Sequence, residues 1–146
     1  ETELLTIPLA STLFYRQFKE KFGEFKALYI ASFWTLAAVL IPCIWHDHNY
    51  SILKDPINYF PCFLSILGTS NLADIKDIEE DKENKINTWP VLLGKEKSAQ
   101  LSIGVILIST LLVLMNKNIY NFPIESSLFE LQNIGSLVYA RNLTIN

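Results

Sequence analysis

The chain has 146 residues, a length that fits one domain, or a piece of a larger one, and argues against several. Half of its residues are apolar and only 18% are charged, a balance too hydrophobic for a disordered tail or linker. A net charge of −3 leaves no basic footprint for nucleic acid, and two cysteines, Cys43 and Cys62, without C-x-x-C spacing indicate neither a disulfide framework nor structural zinc.

The distribution of charge says more than its sum. Lys and Arg number 12 and Asp and Glu 15, yet three long windows, 27–45, 56–73 and 98–116, contain none of them. In chain order, residues 4–15 come first: apolar but short, they read as the last turns of a helix. Glu1 opens the chain with no basic n-region or cleavage site, so no targeting peptide is read and an upstream part is expected. A basic stretch with Arg16, Lys19, Lys21 and Lys26 leads into the first window. As a helix, 27–45 would be about 28 Å long, close to a hydrocarbon core of about 30 Å. The segment 46–55 carries one lysine, Lys54, and a His46-Asp47-His48 triplet whose spacing suits a solvated loop better than a metal pair.

The second window, 56–73, is also of spanning length. It turns polar at Thr69, Ser70 and Asn71, as expected where a helix faces protein or a polar cavity rather than lipid. Pro61 and Gly68 within it are expected to shape packing. The third window, 98–116, is the most uniformly apolar. A fourth, 126–140, is interrupted by Glu130 and is read as a partial span. The predicted fold is therefore all-α, a polytopic transmembrane helical bundle. Lys and Arg alternate accordingly: they are dense before the first window and between the second and third, and sparse at 46–55. This places 15–26 and 74–97 together on the inner side, cytoplasmic or matrix or stromal. Trp45 and Trp89 are then expected at opposite interfaces.

Where the second window ends, the sequence becomes NLADIKDIEEDKENKINTWPVLLGKEKS. Asp74, Asp77 and Asp81 are spaced i, i+3 and i+7, so a continuous helix would set them in one stripe that Asn71 extends. Three like charges on one face repel, and a hard cation such as Mg²⁺, shared with phosphate oxygens, would relieve them. A solvated acidic helix end satisfies the same spacing. A calcium loop of EF-hand type does not, because Lys76 and Ile78 take ligand positions and Glu79 stands where glycine is needed.

The combination of Asp74-x-x-Asp77-x-x-x-Asp81 with Thr88-x-Pro90-Val91-x-x-Gly94, directly after an apolar window, resembles the second aspartate-rich motif of the UbiA superfamily of intramembrane prenyltransferases. Tyr15-Arg-Gln-Phe-Lys19 is similar to the Y-x-x-x-K stretch those enzymes carry before their fifth helix. The resemblance covers most of the chain, 1–146 being the C-terminal part of such a domain and about half of it. It implies transfer of a prenyl group from a prenyl diphosphate to an aromatic or lipid acceptor within the membrane. Asp74, Asp77 and Asp81 would hold Mg²⁺ and act in catalysis, while Lys19, Tyr15 and Asn71 would meet the diphosphate. The first aspartate motif of that family, N-D-x-x-D-x-x-x-D, is not in this sequence, so half of the metal site is expected to be missing from this chain. The other reading is a non-catalytic multi-pass membrane protein, a scaffold or a degenerate relative.

Overall fold

The computed structural model describes residues 14, 15, 17–41, 54, 56–117 and 125–145. The 46–48 triplet, Trp45, and nearly all of the short apolar opening lie outside them. Among the described residues every regular element is helical. A helical stretch at 17–21 passes through a 3₁₀ turn, Gly23–Phe25, into α1 (Lys26–Thr35), which continues as a π turn over Leu36–Leu40. A 3₁₀ turn, Pro56–Asn58, precedes α2 (Phe60–Asp74). Two short helices follow, α3 (Ile78–Glu83) and α4 (Trp89–Leu93), and then two long ones, α5 (Lys95–Lys117) and α6 (Glu125–Ile145).

The second window is thus helix only from Phe60. Pro61 falls in the first turn of α2, where a missing N–H costs nothing because that donor has no partner within the helix. At 15 residues, α2 is about 22 Å long. Among the described residues, α5 is the one helix long and apolar enough to cross a membrane, over Lys95–Met115. The fourth window lies within α6, which runs on to Ile145.

Side-chain contacts fix the order of packing. Lys26, which opens α1, meets Asp74, which closes α2, while Thr35 lies beside Phe60 and Phe63 at the far end. The two helices therefore run antiparallel. Asn71 reaches Ser98 and Ser102, and Ser109 donates to the Pro61 carbonyl at 2.7 Å, so α5 is antiparallel to α2 as well. Ser65 bonds Asn133, and Thr69 lies against Ser136, which sets α6 parallel to α2. The result is an up-and-down arrangement of α1, α2, α5 and α6.

Small residues allow these helices to approach closely. Ala27, Ala31 and Thr35 recur every four residues on α1 and are buried, the two alanines packing with Leu67. On α2, a Cβ added at Gly68 would lie 2.6 Å from Ile106 Cγ1 and 3.0 Å from the Ser102 carbonyl oxygen, so only glycine fits at this crossing. A second cluster gathers Leu72, Ile75, Ala99, Ile106 and Ala140.

Polarity is inverted along α5. Ser98, Ser102 and Ser109 are buried, whereas Leu111 and Met115 are 59% and 68% exposed. The buried hydroxyls are joined across helices, to Asn71 and to the Pro61 carbonyl, while the leucines turn outward.

Candidate functional site

The charged end of the bundle lies where the start of α1 meets the end of α2. Phe18 stacks on Tyr29 with ring centroids 4.5 Å apart, and Tyr15 lies 6.2 Å from the same ring. These contacts pin the 17–21 helical stretch against α1 and aim Lys19 at the turn after α2.

That turn breaks the continuous helix which the aspartate spacing predicts. After Asp74 the backbone tightens to i→i−3 bonds: the amides of Ile75, Lys76 and Asp77 donate to Leu72, Ala73 and Asp74. The helix resumes as α3 only at Ile78. Asp74 and Asp81 stay on the same side, at 4% and 0% exposure. Asp77, half-buried at the start of α3, makes no side-chain hydrogen bond or ion pair among the described residues. Of the three aspartates two are thus buried and Asp77 is half-buried, and the helix that would carry them in one stripe is interrupted between Asp74 and Ile78.

Each buried aspartate has a lysine from far upstream. Lys19 Nζ lies 2.8 Å from Asp81 Oδ1, and Thr88 Oγ1 donates to Asp81 Oδ2 at 3.1 Å. Lys26 Nζ is bonded to Asp74 Oδ1, with both side chains almost fully enclosed. The Thr88-to-Gly94 motif is thereby explained locally. Thr88 precedes α4 in extended conformation but turns its hydroxyl to Asp81 instead of capping the helix, and Pro90 sits in the first turn. Gly94 takes φ +83°, the left-handed region in which glycine carries no Cβ penalty, and so turns the chain sharply into α5.

Charges in this cluster perturb one another. Burial works against the Lys19 ammonium, but its hydrogen bond to Asp81 and the charge of Asp81, helped by Tyr15 and Asp74, prevail, and its pKa is raised. Burial of Asp74 outweighs its hydrogen bond to Lys26 and the charge of that ammonium, and lifts the carboxyl above the ordinary aspartate value.

The other expected residues divide. Tyr15, one turn before Lys19, is close enough to act on its charge. Asn71 faces α5: its Nδ2 donates to Ser98 Oγ at 2.9 Å and Ser102 Oγ at 2.7 Å. Its Oδ1 is buried without a hydrogen-bond partner among the described residues. Among the described residues, no three Asp, Glu, His or Cys side chains stand close enough to hold one metal ion between them. Sequence reasoning missed Lys26, Thr88 as a ligand of Asp81, and the pair Ser98 and Ser102. Only Lys26 left a trace, as the last charge before a long uncharged window.

Searches against family models, curated proteins and solved structures find no match to this chain.

Proposed function

We propose that this chain is part of a multi-pass membrane prenyltransferase, binding a prenyl diphosphate and Mg²⁺ at the Lys19–Asp81 end of the bundle and handing the prenyl group to an aromatic or lipid acceptor. The observation that carries this reading is the meeting of Lys19 with Asp81: an expected diphosphate-binding lysine and an expected metal-binding aspartate, 62 residues apart in sequence, lie at one end of apolar helices. The inverted polarity of α5 supports a lipid environment, and the lysine-rich segments 15–26 and 74–97 would share the inner side.

Asp74, Asp77 and Asp81 are hard oxygen donors of the kind Mg²⁺ takes, but among the described residues no three acidic side chains stand close enough to hold one ion between them. When bound, the ion would offset charge on a departing diphosphate. The chain's own groups would do the rest. Lys19, partly exposed, would present a point charge to phosphate oxygen, and the Tyr15 hydroxyl would donate a hydrogen bond beside it. Leaving-group charge stabilised by such preorganised donors lowers the barrier to ionisation. Apolar packing of α1, α2 and α5 would keep water from the allylic cation.

One observation favours the scaffold reading: Asp74 and Asp81 are both neutralised by lysines of the same chain. A single experiment separates the two. In membranes carrying the full-length protein, supplied with a panel of prenyl diphosphates and aromatic or lipid acceptors, Mg²⁺-dependent release of diphosphate is expected, and Asp77→Asn abolishes it. Release that is absent throughout, or untouched by Asp77→Asn, leaves the scaffold reading standing.

A further inference from the structure

The charged end of the bundle also presents large apolar side chains outward. Phe22 and Phe25, at the 3₁₀ turn before α1, are 42% and 48% exposed, and Leu92 and Leu93, which close α4, are 54% and 44% exposed. The two segments are distant in sequence but fixed at one end of the fold. Gly23 sits so close to the α3–α4 connection that a Cβ there would lie 2.6 Å from Ile86 Cγ2 and 3.2 Å from the Asn87 amide nitrogen. Trp89, which opens α4, packs against the cluster of Ala27, Ala31 and Leu67.

Lysines flank these apolar groups. The Lys21 ammonium stands 5.5 Å from the centroid of the Phe22 ring. Lys95 and Lys97 follow Leu93, are exposed, and make no ion pair among the described residues. A helix dipole favours acids, not lysines, in the first turn, so the stability of α5 does not call for this pair. Residues 21–25 and 89–97 together hold three lysines and two glutamates. Apolar side chains beside lysines suit the headgroup boundary of a bilayer, where rings and leucines enter the acyl region and lysine stems carry their ammonium groups back to phosphate. The position agrees: α5 is long and apolar enough to cross a membrane starting from Lys95, so Leu92 and Leu93 stand where such a span would meet the headgroups.

We propose that the turn before α1 and the end of α4 form a lipid-anchoring collar, in which Phe22, Phe25, Leu92 and Leu93 dip into the inner leaflet while Lys21, Lys95 and Lys97 contact lipid phosphates. This rests on the multi-pass membrane reading and deepens it, since the collar sets the Lys19–Asp81 pair at headgroup depth instead of out in water.

The test is the depth of a nitroxide attached to single cysteines in the full-length protein, in a cysteine-free background, reconstituted into vesicles of phosphatidylcholine and phosphatidylglycerol. Collisions with oxygen report lipid, and collisions with a water-soluble nickel chelate report water. Phe25→Cys and Leu92→Cys, both at exposed positions, are compared with Leu111→Cys on the outward face of α5 and with Glu83→Cys, exposed at the end of α3. The labels at 25 and 92 are expected to lose most of the nickel collisions seen at 83 and to lie shallower than the label at 111. Lys95→Gln with Lys97→Gln should restore part of the nickel collisions at 92, and an unchanged depth there overturns the phosphate contacts. Labels at 25 and 92 as open to nickel as 83, with 111 in lipid, overturn the collar and leave the membrane reading intact. Shielding of 25 and 92 from both reagents overturns it in favour of a protein contact, such as a second copy. A label at 111 that is open to nickel overturns both the collar and the membrane reading.

Discussion

Lys19 Nζ and Asp81 Oδ1 lie 2.8 Å apart, but they are not equally enclosed: the lysine side chain is 22% exposed and the aspartate 0%. The pair is therefore asymmetric in what it loses when broken. Lys19→Met strands a carboxylate with no route to water, which costs about 3–5 kcal/mol. Asp81→Asn leaves an ammonium that can swing to solvent, and its amide can still meet Thr88. Denaturation of both variants should find Lys19→Met the less stable. The reverse order would mean that Asp81 is not confined as described.

Gly68 sets the distance between α2 and α5. Gly68→Ala should destabilise the chain by about 1–3 kcal/mol through overpacking against Ile106. Ile106→Ala alone should cost about 2–5 kcal/mol by opening a cavity. Since the new methyl fills space that the second change vacates, the double variant should be more stable than the sum of the singles predicts. Strict additivity in a thermal or chemical melt would place Gly68 away from Ile106.

Asn133 joins three helices. Its Oδ1 accepts from Ser65 at 2.5 Å and its Nδ2 donates to Thr110 at 3.0 Å. Replacing Asn133 by Leu should loosen α6 from both neighbours, at roughly 0.6 kcal/mol for each bond of this kind in a bilayer, whereas Ser65→Ala gives up one. Faster amide exchange along α6 in Asn133→Leu than in Ser65→Ala is the expected readout.

The two perturbed groups carry opposite charges but act in the same direction along the pH axis. Lys19 is raised above 10.5, so its contribution is complete below pH 10.5 and fades as pH climbs through its folded value. Asp74 is raised above 3.8, so the folded state binds a proton that the unfolded chain has already released, and stability declines from pH 3.8 up to the folded value. Relative to Asp74→Asn, which has no such titration, the wild type should lose ground across that acid window. Parallel stability curves for the two proteins would contradict the direction given for Asp74.

Threading through a membrane has its own check. In a cysteine-free background, single cysteines at Lys82 and Lys117 should react with an impermeant thiol reagent from opposite sides of sealed vesicles. Labelling of both from one side would end the multi-pass reading.

Sequence alone determined that the chain is helical and where its apolar lengths lie, because a run of uncharged residues long enough for a helix is legible without any partner. The alternation of lysine-rich and lysine-poor segments led to the expectation that Lys19 and the aspartates share one end, and the structure brings Lys19 to Asp81. The sequence placed Asp74, Asp77 and Asp81 on one stripe by assuming a constant helical period. The turn at Ile75–Asp77 removed that assumption, and only the backbone hydrogen bonds reveal the turn. Which lysine meets which aspartate, and that Asn71 spends its donors on Ser98 and Ser102, was left to the tertiary structure. Periodicity describes neighbours on the same helix, whereas ion pairs between α1 and α2 depend on how closely two helices approach, and there Ala27 and Ala31 pack against Leu67.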